Sequence, residues 1–105
     1  MRKKIKQGQK VAVRFNPRER ELVLDHTFAG PELTGTLRKA KLVDGKHDVR
    51  YTLDDLDELL GFVAAEANHS TDKKIQKELD ALHARLSREM KSYDDGLWQQ
   101  AFWPR

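Results

Sequence analysis

Cysteine is absent from the 105 residues. Disulfides, thiol nucleophiles, Cys-based zinc sites and iron–sulfur ligation are therefore excluded. Proline occurs three times and glycine six times, too rarely and too scattered for a linker or a low-complexity segment. No apolar run approaches the ~18 residues of a membrane span. No apolar stretch follows the basic first ten residues, so no secretory signal is read. The chain also lacks G-x-G-x-x-G, a Walker loop, G-x-S-x-G and H-E-x-x-H. These absences lead to the expectation of a soluble cytoplasmic protein that is not an enzyme, with no cofactor and no membrane partner.

Charge is abundant instead. Charged residues make up 35% of the chain and hydrophobic residues 38%, and the net charge is only +3. That near-cancellation argues against disorder, and the length suits a single domain. The charge is unevenly placed. Residues 1–52 carry 13 Lys and Arg against 6 Asp and Glu, whereas residues 53–105 carry 7 against 11.

Periodicity supplies the elements. Val11, Val13 and Phe15 alternate with Ala12 and Arg14, which marks residues 10–15 as a strand with one buried face. Asn16-Pro17-Arg18-Glu19 has the form of a helix start, with an N-cap, a proline at the first helical position and a capping-box acid. A helix is expected from Pro17 to about Phe28. Its competitor is a returning strand, because Leu22, Leu24, His26 and Phe28 also alternate. Gly30 to Thr36 reads as a loop with at most one helical turn.

Asp44-Gly45 favours a two-residue hairpin turn. It predicts strands 38–43 and 46–51 with Ala40 opposite Val49 and Leu42 opposite His47. Ala40, Leu42, Val49 and Tyr51 then share the inner face. Thr52 to Asp55 forms a second capping box, and Leu53, Leu56, Leu60, Val63 and Ala67 step by three and four, widened by Leu59, Phe62 and Ala64. That predicts a buried helix over 53–68, with Gly61 marking a close approach by another element.

Ile75, Leu79, Leu82, Leu86, Met90 and Tyr93 form a narrow seam on a second helix over 71–93, antiparallel to the first. At roughly 34 Å this helix is expected to overhang and to offer its seam to a second copy. The fold class is α+β in the order βαββαα, a small antiparallel sheet covered by helices. Residues 1–9 are a basic arm, 10–93 the globular domain and 94–105 an aromatic tail.

Four histidines lie near acids: His26 beside Asp25, His47 beside Asp48, and His69 and His83 one turn from Glu66 and Asp80. Among 17 acids such pairs arise by chance, and no metal site is expected. The expected function is that of an interaction or regulatory module, with an unidentified protein or a second copy as partner. Leu97, Trp98, Phe102 and Trp103 are the candidate binding residues, because aromatic anchors on a short helix enter partner grooves. The alternative is nucleic-acid binding by the basic half, through Arg2, Lys3, Lys4, Lys6, Lys39, Lys41 and Arg50.

Overall fold

Asn16 begins the first helix with a reciprocal cap. Its Oδ1 accepts from Glu19 N at 2.7 Å, and Glu19 Oε1 accepts from Asn16 N at 2.9 Å. Two of the helix's orphan N-terminal donors are satisfied in this way, and Pro17 supplies a pre-set φ at the first position. This cap settles the contest between helix and strand in favour of helix, in a computed structural model that describes residues 2–94.

The elements, in chain order, are β1 (Lys3–Lys4), β2 (Val11–Phe15), α1 (Pro17–His26), α2 (Pro31–Arg38), β3 (Lys41–Val43), β4 (Lys46–Tyr51), α3 (Leu53–His69), α4 (Lys73–Lys91) and β5 (Tyr93–Asp94). The class is α+β. A three-stranded antiparallel sheet has the order β2-β4-β3, and β1 pairs with β5 in a small parallel pair.

The hairpin forms in the expected register, with Leu42 opposite His47 and Val43 opposite Lys46. Asp44 and Gly45 both take positive φ, +52° and +79°, as the turn requires. The hairpin is shorter than expected. Residues 31–38 are the helix α2, and Lys39 caps it by donating to Gly35 O, so Ala40 has no partner on β4. Val49 pairs instead with Val13 of β2. The reading of 30–36 as a loop fails because Pro31 at N1 starts a helix whose inward residues, Leu33 and Leu37, are buried. Loop-like Gly and Thr content is outweighed by that burial.

Helices cover one face of the sheet. The core joins Val11, Val13, Phe15, Val49 and Tyr51 to α1 (Leu22, Val23), α2, α3 (Leu53, Leu56, Leu59, Leu60, Val63, Ala67) and α4 (Leu79, Leu82, Leu86, Met90). Leu42 shares the inner face but is 63% exposed, because β3 is an edge strand at the margin of the helical cover. The α4 seam is spent inside the chain, with Ile75 and Tyr93 packed against the core at its ends; it is not offered to a second copy. α4 starts at Lys73 and not at residue 71, because Asp72 is its N-cap. Asp72 Oδ1 accepts from Lys74 N at 2.9 Å and Ile75 N at 3.3 Å. The helix ends at Lys91, after which the chain turns into β5.

Candidate functional site

The connection between α1 and α2 points one aromatic ring outward. Thr27 Oγ1 donates to Val23 O at 2.7 Å and accepts from Ala29 N at 3.3 Å. These bonds fold the loop on itself and leave Ala29 packed against the core. Phe28, between them, is 86% exposed. Two exposed large hydrophobic residues occur among the described residues, Phe28 and Leu42.

Phe28 forms one wall of a cleft of about 430 Å³, and Phe62, Ala65, Glu66 and His69 of α3 form the other. Positions 62, 65, 66 and 69 make a stripe at helical spacing, offset from the buried stripe of α3. Phe62 packs partly against the core, and its remaining surface and Ala65 form the apolar part of this stripe. Phe62 is half-buried, Ala65 is exposed, and Glu66 and His69 form a polar rim. An apolar floor with a polar rim is the usual make-up of a polypeptide-binding surface.

The expected binding residues Leu97, Trp98, Phe102 and Trp103 lie outside the described residues. The expected nucleic-acid contacts are divided by the fold. Lys3 and Lys4 belong to β1, where Lys3 N donates to Ser92 O at 2.8 Å and Ile5 N to Asp94 O at 2.9 Å. Ile5 packs on the core, so this part of the arm is tied to the C-terminal end of α4. Arg2 and Lys6 flank the same strand. Lys39 sits on the cap of α2.

Only Lys41 and Arg50 reach the solvent face of the sheet, where Arg14 and Lys46 join them. Arg14 and Lys41 both lie opposite Asp48, one on each side of β4, and Arg50 lies opposite Ala12. Lys46 belongs to the same hairpin, whereas Arg14 comes from β2. Strand alternation places Arg14 on a polar face, but only the β2–β4 pairing brings that face beside the hairpin's.

Other polar side chains join the helices. Arg18 on α1 binds Glu78 on α4 through Nε and Nη2, both at 2.8 Å, and also pairs with Glu21. These contacts, Glu78 foremost, raise the ionisation of Arg18 above its ordinary value. The Asp57 carboxyl is pushed up, first by burial and then by the nearby charge of Asp54. Among the described residues no group of three or more His, Asp and Glu side chains is placed to hold a metal ion, and no helix is long and apolar enough to cross a membrane. Compared with models of protein families, with curated proteins and with solved structures, the chain matches none.

Proposed function

We propose that this chain is a non-enzymatic interaction module whose cleft between Phe28 and α3 receives an apolar segment of another polypeptide, either a second copy or a different protein. The observation that carries this reading is the outward ring of Phe28, on a hydrogen-bonded loop across a cleft from Phe62 and Ala65 of α3. Contiguous exposed apolar surface of this kind marks interaction sites, and aromatic side chains are prominent among binding hot spots. A cysteine-free chain suits a reducing compartment, and we assign the activity to the cytoplasm on that ground.

Phe28→Glu tests the proposal. The ring is 86% exposed, so the substitution should change stability by no more than about 0.5 kcal/mol. Light scattering on chromatographed protein from 10 µM to 1 mM, together with affinity capture, should show that the variant loses a dimer or a retained partner that the unaltered chain has. A variant indistinguishable from the parent in both measurements would remove the cleft from consideration.

A further inference from the structure

The sheet has a second face, and its composition points to a different partner. β2, β4 and β3 turn Val11, Val13, Phe15, Val49 and Tyr51 toward the helices. The alternate positions, Ala12 and Arg14, Lys46, Asp48 and Arg50, and Lys41 and Val43, face solvent. We infer that this open face is a docking surface for the phosphate backbone of double-stranded nucleic acid.

Register sets the geometry. Arg14, Asp48 and Lys41 form one row across the three strands. Lys46 and Arg50 lie two positions to either side of Asp48 along β4. With strands ~4.8 Å apart and a rise of ~3.4 Å per residue, the four cations frame an area of about 10 by 14 Å. All four are exposed. Asp48 is the one acid among the strand residues of the face, and its Oδ1 lies 3.9 Å from Arg50 Nε; at the β2 margin Glu19 and Glu89, both paired with Arg85, line a pocket with Ala12, Arg14 and Lys46. The strand residues of the face therefore carry as much net positive charge as the whole chain, which totals +3.

The rest of its composition selects among polyanions. Ala12 and Val43 keep the face low, and among the described residues no aromatic stands on it. The described strands thus offer no stacking platform for single-stranded bases, and their charge suits a phosphate backbone. A duplex presents one negative charge per ~1.7 Å of its axis, dense enough to meet all four cations together. An anionic membrane fits less well, because stable attachment needs an apolar anchor beside the charge. The exposed Leu42 points to the opposite side of the sheet, and Phe28 lies on the helical side.

This inference is independent of the cleft. Fluorescence anisotropy of the full chain with a labelled 20-base-pair DNA duplex, in 25–200 mM salt, tests it. Four neutralised phosphates predict a slope of log affinity against log salt of about −3.6. Arg14→Glu, Lys41→Glu and Arg50→Glu together should lower affinity at least tenfold at 50 mM salt and flatten the slope. Asp48→Asn, which needs no new charge on the sheet, should tighten binding at least twofold. Reversal of Lys73, Lys74 and Lys77 to Glu makes the same change in net charge on the exposed start of α4, and should alter affinity less than threefold. Phe28→Ser should leave duplex affinity unchanged. Absence of binding at 25 mM salt would overturn the inference. So would equal losses from the sheet and α4 reversals, tighter binding of single strands, or capture by phosphatidylserine vesicles without binding of the duplex.

Discussion

Arg85 of α4 grips Glu19 of α1 through two nitrogens, Nε to Oε2 at 2.7 Å and Nη2 to Oε1 at 3.0 Å. The same Nη2 donates to Arg14 O at 2.8 Å, and the guanidinium carbon lies 5.7 Å from the centre of the Phe15 ring. One side chain thus joins α4 to the N-terminal cap of α1 and satisfies a carbonyl on the outer edge of β2. Unpaired strand edges invite pairing with other chains, and Arg85 covers part of this one. Arg18 and Glu78 repeat the grip with the charges exchanged between the helices.

Arg85→Lys should destabilise the chain by ~1–2 kcal/mol. An ammonium cannot reproduce the planar fork, and charged hydrogen bonds contribute more than neutral ones. The loss stays modest because the two side chains remain 27% and 16% exposed, where solvent screens the pair. Urea denaturation of Arg85→Lys, Glu19→Gln and the double variant would give the coupling energy, expected to be at least ~0.5 kcal/mol.

Glu78 should make the fold acid-sensitive. The Arg18 hydrogen bonds hold its carboxyl below the usual carboxylate range, against a smaller opposing effect of burial. A carboxylate whose folded pKa is depressed contributes stability that is present above its unfolded pKa, ~4.3, and lost as pH falls through the folded value. The stability difference between the parent chain and Glu78→Gln should therefore be constant above about pH 5 and shrink below about pH 4. Denaturation at pH 7, 5, 4 and 3 would show this. A difference that does not vary with pH would mean that the Arg18 pair does not act on Glu78 in solution.

Much of this fold was legible from local chemistry. Asn16 and Thr52 announce their helices because a capping box is written in four consecutive residues. Asp44-Gly45 sets the hairpin register because two adjacent residues must accept positive φ. What was not legible depended on distant partners. α2 exists because Leu33 and Leu37 find the core, and neither a cap nor a long periodic run marks them in advance. β1 and β5 are two residues each and have no pattern to read. Leu42 has the right face parity for burial and is exposed, because parity says nothing about where the helical cover ends. The cleft was half legible: Phe62 widened the apolar stripe of α3, but the Phe28 wall depends on a loop folded by Thr27. The basic face required the β2–β4 pairing, which joins segments more than thirty residues apart.

Tyr51 should limit stability on the alkaline side. Its hydroxyl donates to Leu33 O at 2.6 Å, and its ring, 1% exposed, meets Phe15 edge-on at 6.5 Å between centroids. Burial, then the charge of Asp55, pushes its ionisation well above that of an exposed tyrosine. A group whose folded pKa is raised contributes stability that is full below the unfolded pKa, ~10, and is lost as pH rises through the folded value. Between the two, that loss is about 1.4 kcal/mol per pH unit. Tyr51→Phe should lower stability at pH 7 by ~0.5–1.5 kcal/mol through the missing hydrogen bond. It should then catch up with the parent above pH 10. Parallel pH profiles for the two proteins would show that the hydroxyl is not buried as described.

Two glycines should respond to alanine with opposite signs. Gly61 lies inside α3 and was expected to mark a close approach by another element. The structure corrects this: Gly61 is exposed, and among the described residues a Cβ built on it meets no atom of another element within 4 Å. Its helical backbone suits any residue, so glycine there only enlarges the entropy lost on folding. Gly61→Ala should raise stability by ~0.5–1 kcal/mol. Gly45 also has open space around it, but its φ is +79°, in the region where a Cβ clashes with the backbone. Gly45→Ala should destabilise by ~1 kcal/mol. The neighbourhoods are equally empty, so the sign is set by backbone conformation alone. Melting curves of the two single variants and the double would decide this, with the double near zero net change because the sites lie on separate elements with no shared contact. If Gly61→Ala also destabilises, α3 must need that bare position for something that approaches it in solution.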